Sequence, residues 1–338
     1  MNKKKAIKLV LEAAVIVLAG VILYNQFKNS FSDIVKQLAN TSIGLFIVIA
    51  ILGNMYYVID SLMYMYLFHK EGYKINFPRC LAVGYMCIFF NVTTFGAGIK
   101  PGQVMYIRSK GVDVGKGLSV TTMPYVFHKT IIAVYAVVML IFNNAFVMNN
   151  FKSTFMYIYL GAILNIAIVA GIILLCASEK FHRLMYGFID KILKKDKYAE
   201  IRTKIKAQTD NLRNGTKDII KSKSAWIGFS CTNIIKMSCW YVIPVIAIYA
   251  CGGSIGDVTI AQAITVAALM QLIMGVIPTS GGVGSLEVVF SLLFAAVFGD
   301  VMAGSCMVLY RVATYYLPFV ISAFIMIAVG KDMKKTKD

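Results

Sequence analysis

Charged residues are scarce in this sequence. They make up 15% of its 338 positions, whereas apolar residues make up 59%, which is far from the composition of a soluble protein. Apolar runs of about 20 residues, the length that spans a bilayer, recur along the whole chain and are continuous rather than alternating. This pattern indicates an all-α polytopic membrane protein. It argues against a membrane β-barrel, whose strands alternate in hydrophobicity.

Residues and motifs that bind metals or nucleotides are also scarce. The three histidines are scattered, and the seven cysteines lie in or beside apolar runs without a CxxC spacing. This predicts packing roles for the cysteines, with no disulfide framework and no metal site. The stretch "GVDVGKGLS" (111–119) has no glycine at the spacing that the first glycine of a Walker loop requires, and no Ser or Thr directly after its lysine. We therefore expect no cofactor and no ATP hydrolysis.

Acidic residues are outnumbered by basic ones, 16 against 34, which gives a formal net charge of +18. In a soluble protein this excess would favour nucleic acid as a partner. In a membrane protein the positive-inside rule explains it, because cytoplasmic loops are rich in lysine and arginine. We expect no nucleic-acid partner.

Six apolar runs are predicted to be full membrane spans, at 6–24, 45–68, 118–142, 155–176, 226–249 and 301–329. The first run could mimic a signal peptide, but it is long and lacks a small-x-small cleavage site, so we expect it to be retained. Two further apolar stretches, 81–107 and 260–298, are interrupted by "TTFGAGIKPGQ" (93–103) and "PTSGGVGSLE" (278–287). Glycine, proline and charged residues are unexpected in the middle of apolar membrane segments.

The distribution of basic residues indicates how the two interrupted stretches cross the membrane. If each is a re-entrant hairpin, 26 basic residues face the cytoplasm and three, Lys28, Lys36 and Lys152, face outward. Single crossings would instead place the 13 basic residues of 177–225 outside. The predicted fold is therefore six full spans plus two re-entrant helical hairpins, with both termini cytoplasmic.

This topology divides a single membrane domain, 1–338, into two halves. Residues 1–142 and 155–330 each contain two spans, a hairpin and a span, in opposite orientations, which is the inverted repeat of many transporters. A basic amphipathic connector, 177–225, joins them and is predicted to lie on the inner leaflet. The segment "SFSDIVKQL" (30–38) is predicted to be an amphipathic helix on the outer surface, with Ser30 and Asp33 spaced as a capping box.

The two interruptions echo each other in sequence. Gln103 follows a glycine-rich stretch as Glu287 does, and Lys129 follows Gln103 by about as much as Arg311 follows Glu287. Irregular backbone at membrane depth is tolerated only where it is buried in protein or lines a wet cavity, so one break per half predicts a shared central site. The alternative is a kinked span with a purely structural break. The backbone residues of the two hairpins are Gly96, Gly98, Pro101, Gly102, Pro278, Gly281, Gly282 and Gly284.

Charges within the apolar runs are the candidate binding groups, because a charge at membrane depth costs at least about 2.5 kcal/mol and usually faces a partner or a cavity. The carboxylates can pair with some of the cations, and a substrate phosphate can pair with another. The helix after Gly284 offers backbone N–H groups to an anion. The alternative is a closed ion-pair network that only locks helices together. The candidate substrate-binding residues are Glu287, Arg311, Lys129, Lys236, Asp60, Gln103, Arg108 and His128.

The two motifs "PTSGGVGSLE" and "TTFGAGIKPGQVMYIR", with the arginine of the last span, resemble the lysylphosphatidylglycerol synthase transmembrane family. This family is the flippase-like membrane domain of the bacterial multiple peptide resistance factors, and the resemblance covers essentially the whole chain. It implies a plasma-membrane protein that moves aminoacylated phosphatidylglycerol to the outer leaflet and so confers resistance to cationic peptides. Full-length members add a cytoplasmic aminoacyltransferase domain. Only eight residues follow Gly330, so we expect that domain to be absent.

The leading prediction is thus a lipid translocase whose partner is an anionic or aminoacylated phospholipid. Arg311, Lys129 and Lys236 are predicted to hold the phosphate, and Glu287 and Asp60 to meet a cationic head group. The alternatives are a phosphatidylglycerol lysyltransferase, as the family name implies, and a transporter of polyprenyl-linked lipid or of a small solute. The protein partners considered are a separate lipid-modifying enzyme and a second copy of the chain. A site open sideways to the bilayer favours a lipid, and a closed one favours a solute.

Overall fold

The computed structural model of the protein describes residues 30–152, 155–192, 223–274 and 284–334, with single positions at 24 and between 199 and 210. Every described secondary-structure element is a helix, and the described residues contain no strand, which confirms the all-α prediction. The predicted span 6–24 lies, apart from Tyr24, outside the described residues. So do Pro278, Gly281 and Gly282 of the second hairpin.

The helices differ in length in the way the apolar runs predict. In chain order they are α1 (Phe31–Ala39), α2 (Ile43–Lys70), α3 (Phe77–Thr93), α4 (Ile99–Arg108), α5 (Val114–Phe142), α6 (Asn144–Asn150), α7 (Phe155–Ala177), α8 (Glu179–Ile192), α9 (Lys223–Ala250), α10 (Ile260–Met274), α11 (Ser285–Phe298), α12 (Asp300–Arg311) and, after a π-helical turn (Val312–Tyr316), α13 (Leu317–Lys334).

Four of these helices are long and apolar enough to cross a membrane: α2, α5, α9 and the continuous helix formed by α12, the π-helical turn and α13. They lie at the predicted spans 45–68, 118–142, 226–249 and 301–329. The 23-residue helix α7 lies at the predicted span 155–176. The described chain is therefore that of a helical membrane protein.

Side-chain caps determine where two of the helices begin. The carboxylate of Asp113 accepts hydrogen bonds from the backbone N–H groups of Gly115 and Lys116, at 2.9 and 3.1 Å, and α5 starts at the next residue. Asn76 accepts a hydrogen bond from the N–H of Arg79 at 3.4 Å, so it caps α3 in the same way. Both side chains satisfy backbone donors that have no partner within the helix.

Helix α1 forms as predicted, but the capping box expected at its start is wrong. Ser30 makes no capping hydrogen bond, because its backbone angles, φ −106° and ψ −1°, differ from the extended angles of a capping serine. Asp33 pairs instead with Lys36, at 3.5 Å. Helix α1 packs on α12, where Ser305 Oγ donates a hydrogen bond to Gln37 Oε1 at 2.8 Å.

The short apolar helices form two helical hairpins. Helix α3 packs against α4, and α10 packs against α11. The longest of the four, α3, has 17 residues. At 1.5 Å per residue it reaches roughly 25 Å, less than the about 30 Å of a hydrocarbon core. No helix of either hairpin is thus long enough to cross a membrane upright by itself, as re-entrant hairpins require.

The two hairpins pack around opposite ends of the long helices. One buried cluster joins α3 and α4 to the end of α2 and the beginning of α5; its members include Phe68, Met86, Ile107 and Met123. The other joins α10 and α11 to the beginning of α2 and the end of α5; its members include Ile49, Leu140, Leu269 and Phe290. Hairpins that enter from opposite sides of the membrane would occupy these two positions.

The contacts of one half are repeated in the other. The first helix of each hairpin packs against the last span of the opposite half, α3 on α13 and α10 on α5. Each hairpin also packs against the spans that flank it, α3 on α2 and α10 on α9. The orientation of the two halves in the membrane stays a prediction, as does the division of the chain at 142 and 155.

The connector begins with α8, which has the predicted amphipathic character. Ile189 is buried against the protein, while Leu184 and Phe188 are exposed. Asp190 accepts a hydrogen bond from Lys206 Nζ at 2.7 Å, so the chain folds back along α8. Most of 193–222 lies outside the described residues.

We expect cysteines introduced at Gly256 and Asp300, in a cysteine-free background, to react with a membrane-impermeant maleimide from the same side. Both positions are exposed and flank the second hairpin. Cysteines at Lys74 and Gly115, which flank the first hairpin, should react only from the opposite side. The measurement is labelling of intact cells against inverted vesicles. Labelling of 256 and 300 from different sides would reject the re-entrant hairpin and the inverted repeat with it.

Candidate functional site

Lys236 on α9 is completely buried, with 0% of its side chain exposed. Its Nζ lies 2.6 Å from Oδ1 of Asp60 on α2. An unpaired ammonium group at this depth would be strongly unfavourable, so the ion pair fixes the position of α9 against α2. The second carboxylate oxygen of Asp60 makes no hydrogen bond within the described part of the chain.

Aromatic rings complete the surroundings of this ion pair. Lys236 Nζ lies 4.6 Å from the ring centre of Tyr56, a cation–π contact. Tyr56 stacks on Trp240 with ring centres 4.2 Å apart, and Trp240 Nε1 donates a hydrogen bond to the carbonyl of Gly53 at 3.2 Å. The ammonium group is therefore held between a carboxylate and a π face.

A second ion pair joins the second hairpin to the last span. Arg311 Nε on α12 lies 2.6 Å from Oε1 of Glu287 on α11. The other oxygen, Oε2, accepts a hydrogen bond from the N–H of Gly284 at 2.7 Å. The beginning of α11, predicted to offer N–H groups to a substrate anion, thus already binds the carboxylate of its own third residue.

The helix that carries Arg311 changes to a π-helical turn directly after it. Such turns are rare and occur frequently at functional sites. A Cβ atom at Gly53 would lie 2.2 Å from the carbonyl oxygen of Ala313, so only glycine lets α2 approach the π turn this closely. Tyr57, one turn further along α2, donates a hydrogen bond to the carbonyl of Thr314 at 3.5 Å. Helix α2 therefore contacts both the Lys236 pair and the turn next to Arg311.

A cavity of about 490 Å³ opens beside Asp60. It lies between α2, the first hairpin and α5, and its described walls belong entirely to the first half of the chain. The polar groups in these walls are those of Tyr56, Asp60, Tyr64, Lys100, Gln103, Thr121, Thr122, Tyr125 and His128. Lys236 is adjacent to it through Asp60 and Tyr56.

Lys100, in the first turn of α4, is a cation of this wall that forms no ion pair with a described carboxylate, although Asp60 lines the same cavity. Its Nζ donates hydrogen bonds to the carbonyl of Thr121 and to Oε1 of Gln103, the latter at 3.4 Å. Gln103 is itself fixed, because its Nε2 donates to the carbonyl of Val83 at 2.8 Å. Within the described chain no carboxylate lies at ion-pair distance from Lys100. An ammonium group has three N–H donors, so one stays available for a molecule in the cavity.

The cavity reaches the protein surface at the middle of α5. Tyr125 is part of the lining and is 52% exposed. Lys129, one turn further along, has its Nζ 5.8 Å from the Tyr125 ring centre, and the described chain gives it no carboxylate partner. Nδ1 of His128 is buried and has no hydrogen-bond partner among the described residues. One wall therefore combines an exposed ring, a second cation and a buried nitrogen that lacks a partner.

Residues 9–322 match the family model described as "Lysylphosphatidylglycerol synthase TM region". The chain belongs to this family. No curated protein matches it. Membership confirms the predicted resemblance and supports a lipid-related function in the membrane.

The structure separates the eight predicted site residues of this family member into three groups. Asp60, Gln103 and His128 line the cavity, and Lys236 and Lys129 lie next to it. Glu287 and Arg311 form their own pair outside the described lining. Arg108 lies exposed at the last residue of α4. Substrate binding by any of them stays a prediction.

The predicted hairpin residues that are described serve different purposes. Gly96, with φ 82°, forms the turn and lines the cavity. The N–H of Gly98 donates to Thr94 Oγ1 at 2.7 Å, and Gly102 allows close packing, since a Cβ there would lie 2.2 Å from the Phe90 ring. Pro101 is exposed in the first turn of α4.

The predicted set of site residues omitted Lys100, Tyr56 and Tyr125. The sequence does contain a signal for Lys100, which is an intramembrane charge three residues before Gln103 in the glycine-rich break. Tyr56 is four residues before Asp60 and therefore on the same face of α2. Among the residues that the structure describes, no three His, Cys, Asp or Glu side chains converge as a metal site would require.

We expect Asp60→Asn to destabilise the protein by about 3–5 kcal/mol, because it leaves the ammonium group of Lys236 buried without its carboxylate. The measurement is unfolding of the purified chain in detergent. The double variant Asp60→Asn/Lys236→Met should recover most of the loss. Asp33→Asn, which breaks the exposed pair with Lys36, serves as the control and should cost less than about 1 kcal/mol. Equal effects of the two single variants would contradict a structural role for the Lys236 pair.

Proposed function

We propose that the protein is a lipid translocase that holds the phosphate of a phospholipid head group in the cavity between α2, α4 and α5. The observation that carries the proposal is the uncompensated cation Lys100 in the cavity wall. Family membership supports the lipid, and the cavity supports the place at which it binds. Movement of the head group between the leaflets follows from the inverted repeat, which is itself a prediction.

Burying a cation is costly unless a carboxylate pairs with it. The chain gives Lys236 and Arg311 one carboxylate each, at 2.6 Å. Lys100 has only the neutral oxygens of Thr121 and Gln103. A cation at membrane depth is expensive and is usually retained for a function. A phosphate oxygen would supply the missing charge-assisted hydrogen bond.

The shape of the cavity favours a lipid over a small solute. Its lining includes Tyr125, which is exposed in the middle of a helix long enough to span the membrane. A molecule can therefore extend from the cavity into the hydrocarbon layer, so that a head group lies inside while the acyl chains stay outside. Lys129 beside Tyr125 provides a second cation near this opening.

The arrangement of carboxylates favours an aminoacylated head group at Asp60. Asp60 lines the cavity and uses only Oδ1 for Lys236, so Oδ2 is available to an ammonium group. Both oxygens of Glu287 are already bonded, one to Arg311 and one to the N–H of Gly284. We therefore assign the ammonium group of a lysyl head group to Asp60 rather than to Glu287, and its phosphate to Lys100.

The decisive variant is Lys100→Met. In proteoliposomes that contain fluorescent lipids, it should slow the transfer of phosphatidylglycerol and lysylphosphatidylglycerol roughly tenfold or more, because one charge-assisted hydrogen bond to the phosphate is lost. The same substitution should not lower the thermal stability of the lipid-free protein, since it removes a part-buried charge that no described carboxylate pairs with. Transfer is measured by the loss of fluorescence when an impermeant reductant bleaches the outer leaflet.

Two controls accompany this variant. Lys100→Arg keeps the cation and should keep most of the transfer, and Lys36→Met removes an exposed lysine of α1 and should change neither transfer nor stability. Unchanged transfer in Lys100→Met would reject the cavity as the head-group site. Formation of lysylphosphatidylglycerol by the purified wild-type chain from phosphatidylglycerol and lysyl-tRNA would favour the lysyltransferase alternative.

A further inference from the structure

A second cavity, of about 420 Å³, lies where the beginning of α3 meets the ends of α4 and α13. Its polar lining residues are Asn76, Arg79, Tyr106 and Asp332. The other described lining residues are apolar and include Leu81, Ile325 and Ala328. The described residues that line it are all different from those that line the cavity containing Lys100. We call it the α3–α13 groove.

The polar end of the groove carries more positive than negative charge. Oδ2 of Asp332 lies 2.8 Å from Lys110 Nζ and accepts a hydrogen bond from the Tyr106 hydroxyl at 2.9 Å. Oδ1 of the same carboxylate lies 3.5 Å from Arg79 Nη2. Among the described residues, two cations thus contact one carboxylate in this cluster, and the shorter contact belongs to Lys110.

The two cations differ in their access to a ligand. The side chain of Lys110 is only 4% exposed, so its charge is committed to the protein. The side chain of Arg79 is 38% exposed, and its described ion pair is the long one to Asp332. A guanidinium group has five N–H donors in a fork that suits phosphate. Arg79 is therefore the group that an anion in the groove would bind.

The groove has a charged end and apolar walls, in the order in which a lipid has a head group and acyl chains. Its polar end lies where three helices begin or end, as expected at the boundary of a membrane, and the same end carries Lys331 and Lys334. Its apolar walls continue one or two turns into the helices, and Ala328 is exposed there. Anionic lipids are attracted to such basic helix ends.

We propose that the α3–α13 groove is a second lipid site, separate from the translocation cavity, which binds an anionic phospholipid. The phosphate lies on Arg79, and one acyl chain lies along Leu81, Ile325 and Ala328. The net positive charge at the polar end selects an anionic head group over a zwitterionic one. The apolar walls select a lipid over a free phosphate.

The test counts lipids retained by the full chain in native mass spectrometry, in the Lys100→Met background, so that the first cavity contributes little. Phosphatidylglycerol should bind with higher affinity than phosphatidylcholine, and glycerol phosphate should not bind measurably. Arg79→Gln should weaken the binding of phosphatidylglycerol roughly tenfold, as expected for a lost charge-assisted hydrogen bond. Ala328→Trp should do the same by filling the groove without disturbing a buried side chain.

Matched controls separate the groove from general effects. Lys74→Gln removes an exposed cation near α3, and Ile327→Trp adds the same ring on an exposed neighbouring face of α13; both should leave binding unchanged. Unchanged binding in Arg79→Gln and Ala328→Trp would overturn the proposal. So would equal binding of phosphatidylcholine, binding of glycerol phosphate as strong as that of the lipid, or a change from dimer to monomer in Ala328→Trp, which would make a second copy of the chain the occupant. These outcomes do not depend on whether Lys100→Met slows lipid transfer.

Discussion

The ion pair between Lys236 and Asp60 determines how the two halves of the chain meet. A completely buried ammonium group has to be paired, and its carboxylate comes from the other half. The ion pair thus fixes how far α9 is shifted along α2 and which faces of the two helices meet. The hairpin α3–α4 then packs at one end of this pair and α10–α11 at the other. Gly53, which admits the π-helical turn beside Arg311, completes the contact between α2 and the last span.

The length of the hairpin helices explains how a lysine reaches the cavity. Helix α4 has ten residues and ends at the same boundary as α3 begins. At 1.5 Å per residue, its first turn lies roughly 15 Å from the end of α4, a distance equal to about half the thickness of a hydrocarbon core. Lys100 is in this first turn, so a residue that follows a loop directly is nonetheless deep in the protein. A continuous span could not place a glycine turn, a lysine and an open cavity at this depth.

The sequence was sufficient to predict the helices and the charges, but not which charges meet. Apolar runs of spanning length predicted α2, α5, α7, α9 and the last span, because the bilayer imposes a minimum length. Pairing between Lys236 and Asp60, 176 residues apart, depends on helix rotation, which no local pattern encodes. The capping box at Ser30 was wrong because the spacing of residues does not determine the backbone angles of the first one. Lys100 was visible as an intramembrane charge, but its lack of a carboxylate emerges only when the neighbours are known.

The two halves differ in charge where their hairpins correspond. In the second half the carboxylate of Glu287 pairs with Arg311, so the charge at this hairpin is neutralised within the half. In the first half the corresponding residue is Gln103, whose neutral amide is held by Val83 and cannot cancel the charge of Lys100. An inverted repeat with two identical sites would offer a single head group two competing positions. In the proposed inverted repeat, an amide in place of a carboxylate in one half would leave a single anion site, while Glu287 and Arg311 form the ion pair between the other hairpin and the last span.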